Sequence, residues 1–503
     1  MKKITNVFWI SVAVIVVLVA FGTFAAETFE IVTHQLQIFI TDYFSWYYLL
    51  VVAAIVLFCV FFIFNSVGTI RLGKPEDRPE FSLATWFAML FSAGMGIGLV
   101  FWGAAEPLAH YIDPAISEGE TAEAYKEALT FTFFHWGVHA WAIYAVVALT
   151  LAYFQFRKGY PGLISATLRP LFGKKMDGIL GNIIDILAVT ATVIGVATTL
   201  GFGAKQINGG LSYLFDIPIS FLVQFIIVVI VTILFIISAW SGLGRGIKYL
   251  SNTNLILAVV LFVLVFILGP SILMLNLFTD SLGKYITDIV EMSFRSAPLN
   301  AVGRTWISDW TVFYWAWWIA WSPFVGIFIA RISKGRTIRE FLIGVTLVPS
   351  VIGALWFTVF GTSAIEIQKT GIIDLGGLKT EEVLFGVFSQ FPAGTTLSVI
   401  ALFLILSFFI TSADSATFVL GMQTMNGSLT PPHRIKITWG IAQSAVALIL
   451  LYSGGLSALE NILIIAALPF SIIIILMMAS LYKELMAEKK ELQMNSASKK
   501  KKE

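Results

Sequence analysis

The chain has a single cysteine, Cys59, in 503 residues. It cannot close an intrachain disulfide, and a lone thiol without a His/Cys cluster argues against a metal centre. Charge is the second scarcity. Asp, Glu, Lys and Arg make up 12% of the chain, against roughly 25% in soluble domains, which excludes a soluble multidomain enzyme. Neither sign dominates: 32 Lys and Arg stand against 30 Asp and Glu, too even a balance for a nucleic-acid partner. No GxxxxGK loop followed by Ser or Thr is present to cradle a nucleotide's phosphates, which argues against an ATP-driven pump; HExxH and CxxC are missing too. The apolar stretches hold almost no cations, so no arginine-rich voltage sensor runs through them.

What is abundant is apolar surface. Hydrophobic residues are 58% of the chain and mean hydropathy is +0.88, far above any disordered composition. About 20 apolar residues cross a bilayer core as a helix. The sequence predicts an all-α integral membrane protein with twelve spans, at 5–25, 46–66, 82–105, 129–156, 179–202, 217–239, 252–278, 305–330, 341–362, 395–425, 434–452 and 457–481. Lys2 and Lys3 followed by apolar residues resemble a signal peptide. The run from Val7 to Ala26 exceeds the roughly 7–15 residues of a signal core, however, and reads as a retained span.

Orientation follows from the cations. With the N-terminus inside, 25 of the 32 Lys and Arg fall on inside connections and 7 outside. That predicts an even number of spans with both termini cytoplasmic. Residues 1–481 read as one polytopic domain in the cell membrane, and 482–503 as a short basic tail ending in Lys499 to Lys502. The tail is a solvated positive-inside segment or one that attaches to anionic lipid. The outer connection 106–127 is acidic, and a helix from Leu282 to Phe294 is expected along the membrane surface.

Three stretches depart from plain apolar helices. Ser92-Ala93-Gly94-Met95-Gly96-Ile97-Gly98 places glycines at alternate positions, each costing about 1 kcal/mol in a helix. Small-residue packing favours spacings of four, so a broken helix lining a cavity is the better reading. The second stretch is aromatic: Trp136, Trp141 and Tyr144, then Trp310, Phe313, Tyr314, Trp315, Trp317, Trp318 and Trp321 before Pro323-Phe324. An interfacial belt accounts for Trp306 or Trp310 but less well for the series continuing into the helix. Electron-rich ring faces in a dry pocket bind a quaternary ammonium group, which cannot donate a hydrogen bond. The third is Ser407 to Thr417, dense in hydroxyls around Asp414. Those hydroxyls either bond back to their own helix or offer oxygens to a hard monovalent cation. Asp414 and Asp185 are functional candidates or pins between helices.

Together these residues resemble the betaine/choline/carnitine transporter family: Gly94-Met95-Gly96-Ile97-Gly98 with Glu106-Pro107, the run Trp315 to Phe324, and Thr411-Ser412-Ala413-Asp414-Ser415, in that order and spacing. The resemblance covers nearly the whole chain. It implies a five-helix inverted repeat of the leucine-transporter type, spans 3–7 and 8–12, behind two extra N-terminal spans, with a homotrimer and alternating access. Carried over by position, the substrate box is Trp136, Trp141, Tyr144 and Trp318, beside Gly94, Met95 and Gly96. Phe313, Trp317 and Trp321 line the cytoplasmic route. A sodium site takes the Ser92, Met95 and Phe408 carbonyls with the Thr411 and Ser412 hydroxyls. A second sodium site is matched at Thr192 and Phe324, while Val196 stands where another hydroxyl would help, with Thr198 or Thr199 nearby.

The family's sodium-independent exchangers carry an arginine in span 7, and residues 252–278 contain no Lys or Arg. The Met of Gly94-Met95-Gly96 resembles members that prefer glycine betaine over choline. The expectation is therefore a transporter, not an enzyme, that imports glycine betaine by sodium symport as an osmoprotectant. Choline or carnitine carriage, or sodium-independent exchange, is the alternative. A channel would need a continuous polar pore, and none is visible in the sequence.

Overall fold

A computed structural model describes residues 4–94, 96–241 and 246–500, with side chains described outside 91–94, 240–241, 246–249 and 496–500. Helices form because the bilayer offers backbone groups no other partner. In chain order they are α1 (Asn6–Phe24), α2 (Ala26–Phe64), α3 (Leu83–Gly94), α4 (Ile97–Ile112), α5 (Ala122–Trp136), α6 (Val138–Ala152), the one-turn α7 (Arg169–Phe172), α8 (Ile179–Phe215) and α9 (Phe221–Ser241). They continue with α10 (Gly246–Leu268), α11 (Ser271–Phe294), the short α12 (Ala301–Trp306), α13 (Phe313–Ile332), α14 (Ile338–Thr370), α15 (Thr380–Ser389), α16 (Gly394–Gln423), α17 (His433–Ser453) and α18 (Gly455–Lys500). Among the described residues, eleven helices are long and apolar enough to cross a membrane. The stretch expected as span 3 is not one of them, because it is two pieces of 12 and 16 residues, α3 and α4.

Several boundaries differ from expectation for local reasons. Helix α2 starts at Ala26, twenty residues before the expected 46; its first half is too polar to score as a span but contains neither Gly nor Pro. The seventh span stops at Leu268, and Gly269-Pro270 separates it from α11, so 252–278 straddles two helices. Span 4 is also interrupted: α5 ends at Trp136, α6 begins at Val138, and Gly137 between them has φ −94 and ψ −136. A single glycine does not announce such a break in sequence.

Helix α18 runs 46 residues, so much of the expected tail continues span 12 as helix. There Glu488, 8% exposed, accepts hydrogen bonds from Tyr153 Oη (2.6 Å) and Arg157 Nε (2.5 Å) at the end of span 4. Arg157 also donates to the Gly73 carbonyl (2.7 Å), and Lys158 pairs with Glu484 (3.0 Å). The C-terminal helix is thereby bolted to the loops at that end. Glu488→Gln leaves the Arg157 guanidinium without its carboxylate, and hydrogen bonds to charged groups are worth about 2 kcal/mol. A lower melting temperature in detergent is expected for this variant, and an unchanged one would refute the bolt.

Candidate functional site

The four rings of the expected box come together. Trp136, at the end of α5, packs edge-on against Trp318 of α13, with centroids 4.9 Å apart. Trp318 meets Tyr144 of α6 at 6.1 Å, and Tyr144 meets Trp141 at 5.6 Å. None of the four is more than 4% exposed. Trp317 stacks on Trp318 (4.9 Å, 12°) and touches Trp136 (5.8 Å).

Each anchored indole has a specific acceptor. Trp318 Nε1 donates to the His135 carbonyl (2.9 Å). That carbonyl lies within a turn of Gly137, where the interruption removes its usual i+4 partner. Trp321 Nε1 donates to the Gly195 carbonyl (2.8 Å) and Trp317 Nε1 to Thr199 Oγ1 (3.3 Å), so α13 leans on α8 along one line. The Tyr144 hydroxyl is buried with no hydrogen-bond partner, an anomaly in a protein interior and a donor free for a ligand oxygen.

Trp136 is held by a residue that stands out in sequence only as part of the family motif. Glu106 of α4 is fully buried. Its Oε2 accepts from Trp136 Nε1 (2.6 Å) and Tyr314 Oη (2.5 Å), and its Oε1 contacts His135 Nδ1 (2.8 Å) and His110 Nε2 (3.3 Å). His135 Nε2 reaches on to Thr311 Oγ1 (3.0 Å). One carboxylate therefore ties α4, α5 and α13 together behind the rings. Glu106, His110 and His135 have ligand atoms within 4.8 Å of one another, close enough to hold a metal. The carboxylate's acceptor positions are already taken by N–H and O–H groups, so the cluster reads as a hydrogen-bond centre.

The hydroxyl-rich helix faces the glycine break. A Cβ placed on Gly96 would lie 3.6 Å from Ser412 Oγ, so α16 passes directly beside the α3–α4 junction. Thr411 Oγ1 donates to the Ser407 carbonyl (2.9 Å) and lies 3.2 Å from the Phe408 carbonyl. It also accepts from Asn254 Nδ2 of α10 (3.0 Å), a partner the sequence did not suggest. Met95 and the side chain of Ser92 lie outside the described residues. Asp414 accepts from Ser238 Oγ (2.6 Å) and Asp185 from Ser165 N and Oγ (2.9 and 2.7 Å), so both carboxylates pin neighbouring segments.

At the second expected sodium position, Thr192 Oγ1 bonds back to the Ala188 carbonyl (2.8 Å), and Phe324 packs edge-on to Trp321 (5.6 Å). Thr198 donates to the Leu459 carbonyl (3.2 Å) and Thr199 to the Gly195 carbonyl (3.2 Å). Phe313 sits apart from Trp321. It lines a cavity of about 630 Å³ with Trp102, Trp310, Asp113, Leu375 and Thr380, on the connections that the charge count assigns to the outside. Trp306 is not part of a lipid-facing belt: it is 5% exposed and packs 4.9 Å from both His110 and Phe131.

A bundle of apolar helices around a buried aromatic cluster, with one span broken at glycines beside it, is the architecture of a multi-pass membrane transporter. The family model described as the betaine/carnitine/choline family transporter matches residues 6–490, and the chain belongs to that family. It is 59% identical to the glycine betaine transporter OpuD of Bacillus subtilis (strain 168), over 98% of this chain and 96% of that protein. It is 44% identical to an ectoine/hydroxyectoine transporter of Virgibacillus pantothenticus, over 94% and 95% of the two chains. A probable glycine betaine transporter of Desulfitobacterium hafniense (strain Y51) is 41% identical over 97% and 98%.

Proposed function

We propose that the protein imports glycine betaine with sodium across the cell membrane by alternating access, for protection against osmotic stress. The observation that carries this reading is the joining of Trp136, Trp318, Tyr144 and Trp141 into one buried cluster. A trimethylammonium group has no N–H to donate, so its main attraction is to ring faces, at about 2 kcal/mol or more per desolvated contact. The opposite end of the zwitterion needs donors. Tyr144 offers a buried hydroxyl without a partner, and the loosened glycine segment offers backbone N–H groups. The relatives named for glycine betaine support this choice of substrate. The relative named for ectoine supports a second zwitterion carrying a delocalised cation as a competitor.

In this reading α3 and α4 together make the third of twelve crossings, spans 3–7 and 8–12 form the two halves, both termini are cytoplasmic, and the molecule is a homotrimer. Sodium would be held by Thr411 and Ser412 with carbonyls of Phe408 and the glycine stretch, drawing α16 to the broken helix and ordering the ring pocket. Coupling then arises because each ligand stabilises the conformation the other needs. Residues 252–278 contain no Lys or Arg to substitute for the ion. Thr411→Val removes the hydroxyl and should raise the sodium concentration for half-maximal uptake about tenfold or more. The decisive assay is labelled betaine uptake into proteoliposomes, with betaine, ectoine, choline, carnitine and proline as competitors, with and without a sodium gradient. Sodium-dependent uptake blocked best by betaine is expected; sodium-independent exchange would overturn the reading.

A further inference from the structure

We infer that Tyr285, on the amphipathic helix α11, is a positioning residue for the ring pocket: its hydroxyl caps the interruption of span 4 at Gly137 and so sets the placement of Trp136 and Trp318. The inference rests on the reading of those rings as the substrate pocket.

An interrupted helix at membrane depth must find partners for the backbone groups it frees. On the carbonyl side, His135 accepts from the Trp318 indole (2.9 Å). On the amide side, Val138 N–H donates to Tyr285 Oη (3.1 Å). The gap leaves no spare room: a Cβ on Gly137 would lie 2.3 Å from the Phe133 carbonyl oxygen and 2.9 Å from Tyr285 Oη. Two turns along α11, Ser293 makes a second grip. Its hydroxyl donates to the Ile289 carbonyl (2.5 Å), so its oxygen is left to accept from His139 Nε2 (2.7 Å).

Helix α11 bears on span 4 through one face only. Ser281, Tyr285 and Met292 are buried, while Ile286 and Val290 are about two-thirds exposed. Trp136 lies two residues before Val138 and Trp141 three after, so a shift of α11 that carries Val138 also carries the rings on either side. A surface helix that sequence alone would leave as a connection thus reaches the break through the Tyr285 hydroxyl, with Ser293 gripping the same span at His139. Among the described residues, the Val138 amide has no hydrogen-bond partner besides Tyr285 Oη.

The test is hydrogen exchange of the 137–141 backbone together with betaine kinetics on the full-length protein. Tyr285→Phe keeps the ring and removes only the oxygen. A buried donor left without its acceptor should raise exchange at 137–141 about tenfold and betaine KM about tenfold, with maximal rate and melting temperature close to wild type. Ser293→Ala should move both in the same direction, about threefold. Exchange and KM unchanged in both variants would overturn the inference, as would raised exchange with unmoved KM. If the wild-type protein fails to take up betaine, the functional reading falls by itself, while the exchange result still shows whether Tyr285 caps the break.

Discussion

Trp318→Leu should raise the betaine KM about 30-fold or more while the protein still reaches the membrane. The estimate follows from one lost ring face, worth about 2 kcal/mol or more when desolvated, at about 1.4 kcal/mol per tenfold in affinity. Trp318 is the ring that touches both Trp136 and Tyr144 (4.9 and 6.1 Å), so its loss divides the cluster. Leucine fills part of the space and is a good helix former, which limits damage to α13. Uptake kinetics normalised to surface protein read the effect. An unchanged KM would remove the aromatic-pocket assignment.

Glu106 carries the second large effect, graded by substitution. Glu106→Ala leaves the Trp136 and Tyr314 donors, and contacts to two histidines, without their common acceptor. Several buried hydrogen bonds to a charged group are lost at about 1.5–3 kcal/mol each, so the expected result is loss of uptake with a large drop in melting temperature. Glu106→Gln should be milder. Its amide oxygen can face the indole, which only donates, while its NH₂ group faces the histidines, which can change tautomer. A fall of about tenfold in betaine affinity with the fold retained is expected for Gln, consistent with the loss of about 1.4 kcal/mol. Equal effects of Ala and Gln, or no effect of either, would show that Glu106 does not orient the rings.

These two residues also mark where sequence reading succeeds and where it stops. Trp318 and Tyr144 stand out in sequence because bulky aromatic side chains repeat within helices that must be buried, and their convergence follows from packing two such helices together. The break at Gly94-Met95-Gly96 was legible because alternate glycines have no helical rationale. Glu106 was legible only as part of a motif: besides His110 one turn on, its partners His135, Trp136 and Tyr314 lie 29, 30 and 208 residues away, and nothing in local spacing announces a contact across three helices. The break at Gly137 was hidden because one glycine is tolerated in an intact helix at modest cost. The start of α2 and the continuation of α18 were hidden for the opposite reason, since hydropathy detects the apolar part of a helix and not its polar extension.

Asn254 and Tyr285 share that limitation. Each reaches a functional segment from a helix that hydropathy treats as filler, through one polar atom. Asn254 joins α10 to the Thr411 hydroxyl, and Tyr285 joins α11 to the Val138 amide. Both contacts follow from the cost of leaving a polar group unpaired in a membrane interior. Three-dimensional placement, not composition, decides which neighbour that is.

The most direct measurement compares equilibrium binding of glycine betaine with that of tert-butylacetate, which has the same shape and carboxylate but a carbon in place of the cationic nitrogen. Held by ring faces, betaine should bind about 30-fold more tightly or better, and Trp318→Leu should erase most of the difference. Equal affinity for the two molecules in the wild-type protein would mean that shape alone selects the ligand, and that the rings do not recognise its charge.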